Sequence, residues 1–347
     1  MILATDQDNV HRTRRNPTVS HRYLFSLILM LSFGLGSLQF SAPASAQGSV
    51  SCSTPITTAP IGPATVSTAS TPYGTILVVG SADYAGCSLY LLTSDEIEPL
   101  TTGAVQFACS DNVNVLQHPC DTVLWPALLT DGPPIAGPGV DPKLLGTVTR
   151  TDVFSGMSVQ QVTYAGRPLY RFFLDETPGE TEGANLFDPV TSPVGIWYLV
   201  EPSRGHPAPG KARLQLESAL VGGNGQMQTV LAAQMDDDFS AFPNASFPVY
   251  ALRSTRDHES RCQGICAAIP WPPILTAGRP EAGPGVDQDE LGVVERPDGT
   301  LQVTYHDKPL YLFYQDAYIL GITGTQGIYG AGKVTPWGVF KTVPPSP

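Results

Sequence analysis

Two stretches of this chain place a phenol five residues ahead of a carboxylate: Tyr170-x-Phe172-x-x-Asp175 and Tyr311-x-Phe313-x-x-Asp316. Those groups could exchange a proton, and Asp175 with Asp316 could form a carboxylate pair for acid–base work. Weaker versions lie upstream, as Tyr90-x-Leu92-x-x-Asp95 and as Tyr250 with Leu252 and with Thr255 in the place of Asp. On a strand, residues five apart face opposite sides, so the Tyr and Asp of one motif do not converge without a bend. Leu174-Asp175 followed by Glu176-Thr177-Pro178-Gly179 reads as a strand end and a turn, where Asp175 is expected to cap its own backbone as an Asx-turn. The motif residues Tyr170, Phe172, Asp175, Tyr311, Phe313 and Asp316 are therefore assigned to structure, and no catalytic residue is assigned.

A second candidate is His258-x-x-x-Cys262-x-x-x-Cys266, whose three donors could hold a metal in an exported enzyme or metal protein. The matching region upstream puts His118 two residues before Cys120, so the spacing is not kept and no metal or cofactor is assigned. Gly-x-Ser-x-Gly, His-Glu-x-x-His and Walker-type loops are absent from the sequence. Trp125, Trp197, Trp271 and Trp337 could stack on sugars if exposed, but their apolar neighbours point to core positions.

The elements that carry these residues come in duplicate. QVTYAGRPLYRFFLD from Gln161 returns as QVTYHDKPLYLFYQD from Gln302, AGPGVD from Ala136 returns from Ala282, and GIWYLV from Gly195 corresponds to GVFKTV from Gly338. These matches predict two homologous domains, residues 71–201 and 213–343, joined by a Pro/Gly-rich linker at 202–212 and preceded by a flexible segment at 47–70. Short runs rich in β-branched and aromatic residues predict an all-β fold of antiparallel strands, sandwich or barrel-like, with few short helical turns. In QVTY the alternation suggests a half-buried strand, and Ala165-Gly166 or His306-Asp307 ahead of Pro168 or Pro309 suggests a hairpin turn.

Charge and the N-terminus set the compartment. Arg12, Arg14, Arg15 and Arg22 precede an apolar run and an Ala44-Ser45-Ala46 ending, which reads as a secretory signal over residues 1–46. Without it, 15 basic residues face 29 acidic ones, a net charge of about −14. Such a surface disfavours nucleic acid, and the mature chain is expected to have no transmembrane segment. Its partners are unknown, and export leaves an envelope or extracellular ligand as the class to look for. The residues GSVS before Cys52 lack the pattern that precedes a lipidated cysteine.

The Cys pair, Trp-Pro-Pro, QVTY, PLY and the closing Asp, in that order, resemble the bacterial secreted repeat of unknown function, a family of predicted lipoproteins with a Tyr-x-aromatic-x-x-Asp motif. The resemblance implies a folding unit and an extracytoplasmic location, in periplasm, cell surface or medium, and implies no activity. Six cysteines in an exported chain suggest three disulfides. The duplication pairs Cys109 with Cys120 and Cys262 with Cys266, leaving Cys52 for Cys87. The function expected is binding or structural and non-catalytic.

Overall fold

The computed structural model describes residues 50–95, 107–110, 118–151, 153–154, 156–187, 195–221, 225–234, 246–253, 259, 261–268, 270–316, 327–336 and 338–345. The expected signal segment, His258, Thr255 and Trp337 lie outside them. Among the described residues the chain is built of strands with a few single helical turns, such as Cys120–Leu124 and Ile265–Ala268. Among the described residues the sheets are open, and none closes into a barrel. No described helix is long and apolar enough to cross a membrane.

Each copy begins with a β-hairpin. Thr65–Thr71 pairs antiparallel with Gly74–Val79, and Arg213–Val221 with Met227–Gln234. Thr, Ser and Val in TVSTAST favour extended backbone, and the first strand runs over Thr65–Thr71. Pairing is antiparallel throughout, apart from two-residue parallel contacts such as Thr65–Val66 with Ile135–Ala136 and Arg213–Leu214 with Glu281–Ala282.

The repeated QVTY segments lie in the strands Val159–Tyr164 and Leu301–Tyr305. Tyr164 pairs with Leu145 and Tyr305 with Leu291, the same register in both copies. The turn that follows has two successive residues at positive φ, Ala165 and Gly166 in one copy and His306 and Asp307 in the other. That is the backbone of a primed hairpin turn. These strands are not half-buried as the alternation suggests: Gln161, Val162, Thr163 and Tyr164 are all buried, as are their four counterparts. The polar face is covered because each Gln works inside the protein. The Gln161 amide accepts from Arg150 at 2.7 Å and donates to the Leu169 carbonyl at 2.8 Å. Gln302 does the same with Arg296 and Leu310.

One apolar cluster runs through residues of both copies, from Val66 and Val162 to Leu214, Val303 and Leu312. Phe187 and Phe247 meet edge to face across it, 5.1 Å apart. The stretch between the copies is hydrogen-bonded on both sides: Pro207–Ala208 pairs with Leu199–Val200, and the Gly210 carbonyl accepts from Ala277. Two further clusters, one per copy, hold the motif aromatics.

Candidate functional site

In the first copy Tyr90 and Tyr170 face each other as an antiparallel bridge, each N–H donating to the other's carbonyl at 2.9 and 3.0 Å. A local two-fold axis runs between such a pair, so what happens on one strand is mirrored on the other. The side chains follow this symmetry. Tyr90 Oη donates to Asp175 Oδ2 at 2.7 Å, and Tyr170 Oη donates to Asp95 Oδ2. Tyr and Asp of one motif therefore do not meet; each finds its partner on the other half of the copy. The second copy repeats one arm: Tyr250 bridges Tyr311 and donates to Asp316 Oδ2 at 2.6 Å.

Each carboxyl also gathers the far end of a loop. Asp175 Oδ1 accepts from Glu182 N–H at 2.9 Å, Asp95 Oδ1 from Ala108 N–H at 2.6 Å, and Asp316 Oδ1 from Tyr329 N–H at 2.9 Å. The cap of Asp175 thus lands seven residues downstream, not on its own next turn as the Asx-turn expectation had it. The turn chemistry of Glu176–Gly179 is met instead by Glu180, whose carboxylate accepts from the Glu176 and Thr177 N–H groups.

The rings around these clasps are ordered alike in both copies. Trp125 stacks on Trp197 at 3.7 Å, with Tyr90, Tyr170 and Phe172 packed around the pair. Trp271 stacks on Phe340 at 3.7 Å, with Tyr250, Tyr311 and Phe313 in the matching places. Gly183 and Gly330 lie against the two tryptophans so closely that a Cβ would come within 2.7 and 2.9 Å of the indoles.

Burial governs the electrostatics. The three aspartates are at most 2% exposed and their tyrosine partners are fully buried. Loss of hydration pushes the Asp175 carboxyl up to about 8, Asp316 to about 7 and Asp95 to about 6, against the opposing pull of their O–H and N–H donors. The same burial, with the adjoining carboxyls, raises Tyr90, Tyr170 and Tyr250. Carboxyls poised near neutrality are what proton transfer needs, but these are sealed among aromatic rings.

The six cysteines form three disulfides: Cys52–Cys87, Cys109–Cys120 and Cys262–Cys266. The sulfurs of Cys262 and Cys266 are bonded to each other, which removes the thiolates that a metal would take. Among the described residues no cluster of His, Cys, Asp and Glu is arranged to hold a metal. Arg150, fully buried, donates to Asp121 at 2.8 Å and to the Cys109 carbonyl at 2.8 Å, fixing the first copy's disulfide loop to the strand Leu145–Arg150.

A cleft of about 240 Å³ opens elsewhere on the first copy, and Arg171 is in its lining. Sequence reasoning passed over Arg171; the available signal was its replacement by Leu312 between a Tyr and a Phe that both copies keep.

Residues 159–188 and 292–326 match the family model of a secreted repeat of unknown function. Both segments contain the QVTY hairpin and the Tyr-x-Phe-x-x-Asp motif. No curated protein and no solved structure matches the chain.

Proposed function

Because the chain carries two copies of a secreted repeat of unknown function, we propose that it is an exported, non-catalytic binding or structural protein whose repeated motif holds the fold together. The observation that carries this reading is the enclosure of the Tyr–Asp clasps. Tyr90, Tyr170, Asp95 and Asp175 are buried and none of them lines the open cleft, which speaks against a substrate reaching their protons. Each clasp instead joins two segments distant in the chain and pins a loop, a role shared by the three contacts Tyr90–Asp175, Tyr170–Asp95 and Tyr250–Asp316. Export fits the same picture: residues 1–46 act as a cleaved signal, and the disulfides suit an oxidising compartment. The Cys52 sulfur is joined to Cys87, which favours a soluble mature chain over one lipidated at Cys52.

The test pairs stability with activity. Asp175→Asn and Asp316→Asn are purified from the oxidising compartment and compared with the parent in urea unfolding and against a panel of hydrolase and transferase substrates. Unfolding midpoints that fall, with no turnover by the parent, support the reading. A parent turnover that Asp175→Asn abolishes at unchanged stability overturns it.

A further inference from the structure

Each copy contains a cleft built on the same frame. In the second copy Ala212 N–H donates to Thr276 Oγ1 at 3.1 Å, Glu281 N–H to the Ala212 carbonyl at 2.8 Å, and Ala277 N–H to the Gly210 carbonyl at 3.0 Å. In the first copy Ala64 N–H donates to Thr130 Oγ1 at 3.0 Å, Ile135 N–H to the Ala64 carbonyl at 2.8 Å, and Asp131 N–H to the Gly62 carbonyl at 3.0 Å. Three matching bonds make the two clefts one position of the repeat. Their contents differ. The second copy's cleft is filled by Ile196 and Tyr198 from the first copy, which leaves about 20 Å³. The first copy's cleft is lined by residues ahead of and within that copy, from Ile56 to Arg171, and about 240 Å³ stays open.

The walls differ as well. Leu128 and Leu129 correspond to Ile274 and Leu275, but Arg171 stands where the second copy has Leu312. The Arg171 guanidinium is buried, donates to the carbonyls of Cys52 and Thr54, and lies 3.7 Å from the centre of the Tyr84 ring. Among the described residues no carboxylate pairs with it. Asp83, the acidic residue in the cleft lining, is exposed and makes no ion pair with it. A buried cation is costly unless an anion compensates it. Neutral carbonyls and a ring face supply only part of that compensation. A cavity that the other copy fills with a phenol ring and a branched aliphatic chain, walled here by an arginine, calls for an apolar body with one anionic end.

We propose that the first copy's cleft binds a small organic carboxylate with an aromatic or branched aliphatic body, its carboxylate on Arg171 and its body against Leu128 and Leu129. This rests on the reading of the chain as a binding protein and adds the site and the ligand class. A guanidinium meets a carboxylate through paired N–H donors, which gives both charge and orientation.

The experiment uses 4-hydroxyphenylacetate as the probe, titrated into the mature, oxidised protein by calorimetry, with the neutral 4-hydroxyphenylacetamide as control. Saturable one-site binding is expected, with the amide and Arg171→Leu each weaker by about tenfold or more, as befits loss of a charge-assisted contact. Arg171→Leu installs the second copy's own residue. Should it unfold, Ala59→Trp decides, because Ala59 is an exposed residue of the cleft lining and a bulky ring there fills the cavity without touching Arg171. It should abolish binding and keep the unfolding midpoint. Failure of the acid to bind, equal binding of acid and amide, or full binding by Ala59→Trp overturns the site. Any of these leaves the non-catalytic reading standing, since that reading falls only on the turnover test of Asp175→Asn.

Discussion

Tyr90 and Asp175 are 85 residues apart in the chain and 2.7 Å apart in the fold. Their hydrogen bond has a mirror image in Tyr170 and Asp95, because the two tyrosines form an antiparallel bridge with a two-fold axis between them. The recurrence of the motif within a copy, as well as between copies, follows from this exchange. The exchange is reciprocal in the first copy, which has both carboxyls; the second copy, with Thr255 in the place of the upstream Asp, keeps the Tyr250–Asp316 arm. Four consequences can be measured.

Tyr90→Phe removes the hydroxyl from a buried carboxyl and should cost about 1.5–3 kcal/mol in urea unfolding. Asp175→Asn should cost less, since the amide can still accept from Glu182 N–H and meet the Tyr90 hydroxyl. In the double variant the two costs should fall well short of adding, and strict additivity would show that the pair is not coupled. Tyr250→Phe should repeat the result at Asp316.

Stability should fall as pH rises from about 4 toward 8. Asp95, Asp316 and Asp175 are held at about 6, 7 and 8 in the fold, against about 3.9 in the unfolded chain. Between those values the native state binds a proton that the unfolded state has released. Their stabilisation is therefore complete below about pH 4 and lost as each folded value is passed, at up to about 1.4 kcal/mol per pH unit per carboxyl. Thermal midpoints at pH 5 and pH 8.5 should differ less in Asp175→Asn than in the parent. An identical difference in both would remove Asp175 from the account.

Arg150→Ala leaves Asp121 buried without its guanidinium partner and should cost about 3–5 kcal/mol. Arg296→Ala, at the matching place, should cost clearly less: its acidic neighbour Asp298 lies 3.9 Å away and is 40% exposed. Chemical denaturation of both variants checks the ranking, and equal costs would contradict the burial argument.

Replacing each disulfide with a pair of alanines should destabilise in the order of loop length. Loss of Cys52–Cys87, which closes 35 residues, should cost about 4 kcal/mol by chain entropy. The 11-residue separation of Cys109–Cys120 predicts about 3 kcal/mol, and the 4-residue separation of Cys262–Cys266 about 2 kcal/mol. Urea midpoints of the three variants report the order directly.

What the sequence by itself determined here is local or self-referential. The alternation of QVTY, the two-residue turn ahead of Pro168 and Pro309, and the matching of one copy to the other depend on neighbours within a few residues or on comparison of the chain with itself. Strands and hairpins form from such short-range preferences, so the all-β fold and the two copies were legible. The burial of three tryptophans was legible for the same reason, from their apolar flanks. The partner of Tyr90 was not, because a five-residue spacing along one strand carries no information about which distant strand will lie beside it. Asp175 looked like a turn cap until the fold brought Tyr90 and Glu182 to its two oxygens. Gln161 and Thr163 looked like a solvent face until Arg150 and the returning strand covered them. Only tertiary packing decided that Tyr198 fills one cleft while the equivalent space beside Arg171 stays open, since the contents of a cavity depend on what the rest of the chain places against it.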